Sequence, residues 1–169
     1  MVHEKEALFF NMFDRNNQRQ PRTNFSAPKE FEEKVIQIKR VSKKTRGGNK
    51  IGFTALVVIG DKKGKVGTAI GKASDVSSAV QKAVTAAKRD MVTIKIKENT
   101  IAHEVSCKYD SAEVLLKPAP KGSGVIAGGS VRSVVELAGI QDISGKMLGS
   151  NNKVTNVRCT INALLKLKG

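Results

Sequence analysis

Apolar and polar residues change their rhythm several times along the chain, and each change marks an element. Residues 30–34 read as a short helical turn, and Val35-Ile-Gln-Ile-Lys-Arg-Val41 reads as a strand. From 51 to 59 the chain is apolar at nearly every position (Ile51-Gly-Phe-Thr-Ala-Leu-Val-Val-Ile59). A strand with one wetted face alternates, so this one is expected to be covered on both faces. Gly60-Asp-Lys-Lys-Gly64 reads as a hairpin turn. A third strand follows over 65–71, where Gly67 and Gly71 point to a bulge or a close backbone contact. Asp75 then caps a helix predicted over 76–91. There Val76, Ala79, Val80, Ala83, Val84 and Ala87 form an apolar stripe at i, i+3/i+4 spacing. The result is three antiparallel strands with a helix across one face.

A second unit follows. Val92-Thr-Ile-Lys-Ile-Lys97 alternates and reads as a strand, residues 98–100 as a turn, and 103–108 and 112–117 as two further strands. Residues 118–130 form a loop, proline-stiffened and then glycine-rich, leading into a helix over 131–138 with Gly139 at its left-handed C-cap. A short strand is expected at 140–143. The last helix spans 156–167, with Val157, Ile161, Leu164 and Leu165 on its apolar face and Val154 just ahead of it. The pattern divides the chain into a polar tail (1–29), a first domain (30–93) and a second (94–169). Each domain is small for an independent core, so the two are expected to pack on each other. In the tail, Leu8, Phe9, Phe10, Met12 and Phe13 form an apolar cluster that reads either as a transient helix or as a peg docking on a neighbour.

Charge then changes the picture. The chain carries 30 Lys+Arg against 15 Asp+Glu, a net +15, which predicts salt-dependent attraction to a polyanion. The excess is local: eleven basic residues lie between Lys34 and Lys72, against the single acid Asp61. The densest part is the turn between the first two strands, with Lys39, Arg40, Lys43, Lys44, Arg46 and Lys50 around Gly47, Gly48 and Asn49. Lys62, Lys63 and Lys65 mark the second turn, and Lys72 the strand-to-helix corner. A charge run is ordinarily a solvated face; one concentrated at hairpin tips fits phosphates. Aromatics make up 4% of the chain, with no Trp, which disfavours binding by base stacking and favours a grip on backbone and shape.

Other chemistry finds little support. No apolar run approaches the ~20 residues of a membrane-spanning helix, and the start, Met1-Val-His-Glu-Lys-Glu, lacks the form of a signal peptide, so a cytoplasmic protein is expected. Cys107 and Cys159 lie in no CxxC and have no histidine at ligand spacing, so two half-buried thiols are expected. His3 and His103 are far apart, so neither a metal site, a cofactor nor an acid/base pair is expected. The glycine-lysine runs at 60–65 and 67–73 miss the spacing of a P-loop, and Ala127 stands where a dinucleotide fingerprint needs its third glycine. Gly128, Gly129 and Ser130 open a helix near Lys121; that end either holds a backbone phosphate or is simply capped by Ser130.

Several spaced blocks resemble one family. Arg46-Gly-Gly-Asn-Lys-Ile-Gly-Phe-Thr-Ala-Leu-Val-Val-Ile-Gly-Asp61, Gly64-Lys-Val-Gly67 and Gly71-Lys-Ala73 are similar to the first signature of the bacterial small-subunit ribosomal protein five family. His103-Glu-Val105, Val114-Leu-Leu-Lys-Pro-Ala-Pro120, Gly122-Ser-Gly-Val-Ile-Ala-Gly-Gly129, Val135-Glu-Leu-Ala-Gly139 and Leu148-Gly-Ser150 resemble its second half.

The resemblance implies an α+β protein: a first domain like a double-stranded-RNA-binding domain, three antiparallel strands with a helix, then a small α/β domain. It implies a non-enzymatic component of the small ribosomal subunit that binds rRNA, helps hold the subunit body and affects decoding accuracy. Small-subunit proteins four and eight are the implied neighbours, near the path by which mRNA enters. Arg46, Gly47 and Gly48 inherit an association with spectinomycin sensitivity, and Gly124 and Arg132 the contact with protein four. Asn49 stands where the family commonly has Arg, and Thr68-Ala69-Ile70 replaces a run that is often aromatic. The chain stops soon after its last helix, which implies a smaller contact with protein eight. A free double-stranded-RNA-binding or nucleotide-handling protein is the other class that composition permits.

Overall fold

The structure is a computed structural model that describes residues 31–167. The apolar cluster of the tail therefore lies outside the described residues. A four-stranded antiparallel sheet, β1 (Glu32–Thr45), β2 (Gly48–Gly60), β3 (Lys65–Ala73) and β4 (Val92–Thr93), runs in that order across the first unit. Helix α1 (Val76–Arg89) lies against it. The second unit has a sheet in the order β5-β6-β8-β7, from β5 (Val105–Tyr109), β6 (Ala112–Pro118), β7 (Val125–Ile126) and β8 (Ile143–Met147). β7 pairs with β8 in parallel and the other pairs are antiparallel. Helices α2 (Gly129–Ala138) and α3 (Lys153–Leu165) complete it.

β2 organises the packing, because its apolar run serves two cores at once. Side chains alternate across a strand. Ala55, Val57 and Ile59 meet Ala79, Ala83 and Ala87 of α1, while Leu56 and Val58 join the core of the second unit, beside Leu116, Val134 and Ile143. From Ala55 to Gly60 the strand is thus covered on both faces and the two units share a core, whereas the cover expected for the start of the run is missing at Ile51, which is exposed. The alanine stripe brings α1 close to the sheet. A Cβ at Gly71 would sit 2.0 Å from the Ala79 carbonyl oxygen, so only glycine admits the helix at this distance.

Asp75 caps α1, its carboxylate accepting hydrogen bonds from the Ser77 amide at 3.1 Å and the Ser77 hydroxyl at 2.6 Å. The Ser77 hydroxyl bond, followed by the Val76 amide, holds the Asp75 pKa below its ordinary value. A carboxylate with a depressed folded-state pKa stabilises the fold above its unfolded pKa and ceases to do so as pH falls through the folded value. Asp75→Ala should therefore lower the melting temperature at neutral pH. In melting curves recorded as a pH series, that difference should shrink once pH falls below the ordinary carboxylate range.

Several elements differ from expectation. Glu32, Glu33 and Lys34 are strand rather than helical turn, because β1 pairs with β2 back to Gly60. The strand predicted over 92–97 is reduced to Val92–Thr93 and belongs to the first sheet, pairing with Val66 and Lys65. The turn at Glu98 and Asn99 takes the rest, both residues having positive φ. The short strand expected at 140–143 starts only at Ile143, after the left-handed cap at Gly139. α3 begins at Lys153, capped by Asn152, with Val154 inside it, and Leu165 is exposed while Cys159 and Ala163 fill the core. Both cysteines are free and buried, and burial, with Cys107 nearby, pushes the Cys159 thiol above its ordinary pKa.

Candidate nucleic-acid interface

β1 and β2 run past the body of the molecule as a two-stranded arm, every residue of which is exposed from Ile38 through Ile51. Their ladder continues to Lys43 opposite Lys50, Lys44 opposite Asn49, and Thr45 opposite Gly48. Arg46 and Gly47 form a two-residue turn, tied by the Thr45 hydroxyl to the Gly48 carbonyl at 2.7 Å. Gly48 has φ 117°, a region that side chains rarely adopt, whereas Gly47 does not use it. The tight turn therefore rests on Gly48 and puts the Arg46 guanidinium at the tip.

Directly paired residues project to the same side of a sheet. Lys39, Lys43, Lys50 and Lys72 accordingly share the side facing away from α1, with Lys39 and Lys72 flanking Thr54 in one cross-strand row. Arg40 and Lys44 lie on the α1 side. Lys43 directly opposite Lys50 is a like-charge pair, which disfavours the hairpin unless an anion lies between or above them. Among the described residues, none of Lys39, Arg40, Lys43, Lys44, Arg46 and Lys50 forms an ion pair. Some basic residues of the body are paired: Lys34 meets Glu136 at 2.9 Å, Lys117 meets Glu104 at 3.3 Å, and Arg132 meets Glu136 at 3.5 Å.

The other candidate residues separate into distinct places. The second hairpin tip is not a free basic finger. Lys62 N–H donates to the Leu137 carbonyl at 3.0 Å and Gly64 N–H to Ala138 at 2.9 Å, docking the tip on the end of α2. Lys62 is further engaged by Glu32, while Lys63 and Lys65 remain exposed. Lys121 lies 3.8 Å from Glu98 on the second unit. At the start of α2 the N-cap is Gly128, not Ser130. Ser130 is buried inside the first turn with its hydroxyl on Met147 Sδ at 3.3 Å, and Gly129 has open space where a Cβ would stand.

Gly124 and Arg132 meet around the same loop. Arg132 Nη2 donates to the Val125 carbonyl at 2.8 Å, fastening β7 to α2. The loop's anchor is Asp142, a residue that sequence reasoning missed. Its nearly buried Oδ1 accepts the Gly122 amide at 3.1 Å and the Gly124 amide at 2.9 Å. Spacing does not single it out, because Glu136 is the nearer acid after the glycine-rich stretch whose amides need an acceptor. Asp142→Ala should cost roughly 2–3 kcal/mol, since two part-buried amides lose a charged partner. Hydrogen exchange should quicken at Gly122 and Gly124 before it does at β2.

No cluster of His, Cys, Asp and Glu suited to a metal ion occurs among the described residues, and none of their helices is long and apolar enough to cross a membrane. The arrangement can bind an extended anion along the arm.

Comparison with known proteins agrees with this geometry. The family model for ribosomal protein S5, N-terminal domain, matches residues 31–95, and that for ribosomal protein S5, C-terminal domain, matches residues 107–169. The chain is 54% identical over 140 residues to small ribosomal subunit protein uS5 of Campylobacter jejuni, in strain 81-176 and equally in strains 81116 and RM1221. The aligned region covers 83% of this chain and 95% of each relative. With both domains matched in order on a two-unit α+β fold with a basic arm, the chain belongs to the ribosomal protein S5 family.

Proposed function

We propose that this protein is a structural, non-catalytic constituent of the small ribosomal subunit and that its β1-β2 arm grips the rRNA backbone. The single observation carrying the arm's role is its six cations without acidic partners among the described residues, including Lys43 set against Lys50. A polyanion relieves that repulsion, and phosphates supply it without base stacking. Lys63, Lys65 and Lys72 add contacts on the same domain, and Gly129 with Lys121 contributes one on the second. Lys62 acts mainly to hold the two units together.

Gly124 and Arg132 form the face toward small-subunit protein four, on a loop whose shape Asp142 and Arg132 fix together. Protein eight is the second neighbour. The protein stands near the path by which mRNA enters, stabilises the subunit body and contributes to accuracy, and Arg46, Gly47 and Gly48 carry spectinomycin sensitivity. The free double-stranded-RNA-binding alternative gains no support from the family matches.

Sedimentation of a cell lysate at low magnesium tests the assignment. The protein should travel with the dissociated small subunit and stay with it through a moderate salt wash. Recovery in the soluble fraction, while other small-subunit proteins sediment, would overturn it.

A further inference from the structure

The outer side of α1 carries a second basic surface, remote from the arm. Ser78, Gln81, Lys82, Thr85, Ala86 and Arg89 line one shallow depression along the helix, on the side turned away from its buried alanines. Gln81, Lys82, Thr85 and Arg89 are exposed. No acid occurs from Val76 through Arg89, and Asp75 and Asp90 flank the helix as its caps. Among the described residues neither Lys82 nor Arg89 forms an ion pair. A merely solvated helix face carries charges of both signs, and this one carries a single sign. Arg89 in the last turn also suits the helix dipole, but Lys82 at mid-helix does not. Lys88 is engaged elsewhere, 5.9 Å above the Phe31 ring. Ala79 lies against Gly71 near the root of the arm and Ala87 against Gly67, so α1 runs away from the arm. Gly67 pairs with Ile59, which is about 37 Å along β2 from Gly48. The arm's Lys39, Lys43 and Lys50 also project from the opposite face of the sheet.

We propose that this face of α1 is a second nucleic-acid site, which takes the minor groove of an RNA duplex distinct from the RNA on the arm. Lys82 and Arg89 stand two helical turns apart, about 10 Å along the axis. The minor groove of A-form RNA is wide and shallow, displays its 2′-hydroxyls, and is recognised through those and the bordering phosphates. The two cations meet phosphates on either side of the groove, and the short side chains of Ser78, Thr85 and Ala86 let its floor come close. The Thr85 hydroxyl donates to the Gln81 carbonyl at 3.0 Å, which leaves its oxygen to accept from a 2′-hydroxyl. The Gln81 side chain adds an amide that both donates and accepts. A single strand fits less well, because none of the lining residues is aromatic and bases have nothing to stack on. With one RNA on the arm and another on α1, the first unit bridges two segments held apart by its own thickness.

The test uses the full chain already carrying Lys43→Ala, Lys44→Ala and Arg46→Ala, so it stands apart from the arm's role. Fluorescence anisotropy follows binding of a labelled RNA duplex of about 16 base pairs, and of the DNA duplex of the same sequence. Adding Lys82→Ala and Arg89→Ala should weaken RNA binding about tenfold near 0.1 M salt and make the salt slope shallower by about 1.5. Adding Gln81→Ala and Thr85→Ala instead should cut the preference for RNA over DNA about fivefold, one hydrogen bond's worth, with the slope unchanged. Alanine is the best helix former, so these exposed substitutions leave α1 folded. Unchanged affinity without Lys82 and Arg89 overturns the proposal. So does an equal loss from Lys108→Ala with Lys146→Ala, which removes the same charge from exposed positions of the second unit. An RNA preference that survives the loss of Gln81 and Thr85 also overturns it. The arm's own role is read separately, from the loss that its three substitutions cause in the otherwise unaltered chain.

Discussion

Gly139→Ala is expected to lower the free energy of unfolding by roughly 2–5 kcal/mol, the sum of a left-handed backbone imposed on alanine and a clash with fixed backbone. Gly139 has φ 94° and ends α2, its amide donating to the carbonyls of Val135 and Glu136. The direction in which a Cβ would point is already filled, with the Lys62 carbonyl oxygen 2.1 Å away. Lys62 is held in turn by its own amide bond to Leu137, so it cannot swing aside without undoing the seam. Gly60 faces the same seam from the other unit, its Cβ direction 2.1 Å from the Leu137 carbonyl oxygen. The β2-β3 turn and the end of α2 therefore interlock backbone to backbone. Chemical denaturation checks this, with Gly129→Ala as control: Gly129 has ordinary φ and open space, and its substitution should change stability by no more than about 0.5 kcal/mol. Equal losses in the two variants would show that the seam is not the determinant.

Much of this seam was legible in outline and none of it in detail. The apolar run at 51–59 called for cover on both faces, and the shared core of Leu56 and Val58 with the second unit supplies it from Ala55 onward but not at Ile51, which is exposed. Gly139 read correctly as a helix stop. What periodicity does not carry is which surface a turn rests on, so Lys62 looked like one more free cation at a hairpin tip. Short elements suffered similarly. β7 has two residues, set by parallel pairing with Ile143 and Ser144 rather than by any local alternation. Ile94 and Ile96 alternate like a strand, yet Ile94 lies in the core just past a two-residue strand that pairs with the first two residues of β3.

The arm was more legible than the rest of the interface because its signal is local. Charge without acids, around a two-residue turn, needs no knowledge of distant contacts. Asp142 is the opposite case: its role comes from amides 18 and 20 residues earlier in the chain, and spacing alone does not connect them. Ser130 shows the same limit, since a serine at a helix start reads as a cap until Met147 is found against its hydroxyl.

The second large effect concerns binding rather than folding. Replacing Lys43, Lys44 and Arg46 together with Ala should weaken binding to a small-subunit rRNA transcript by roughly 100-fold near 0.1 M salt. Each neutralised phosphate contributes about 0.7–0.9 to the slope of log affinity against log salt, so the slope should become shallower by about 2–3. The three side chains are exposed, lie outside the core and make no ion pair among the described residues, so the melting temperature should hold or rise slightly as the repulsion between Lys43 and Lys50 is removed. Lys117→Ala is the matched control, because Lys117 already has Glu104 as a partner and should change affinity less than twofold. A shift in both affinity and slope confined to the arm variant identifies phosphate contact. A loss of affinity with an unchanged slope would instead assign the arm a role in shape, through the turn at Gly48, and remove its lysines from the rRNA grip.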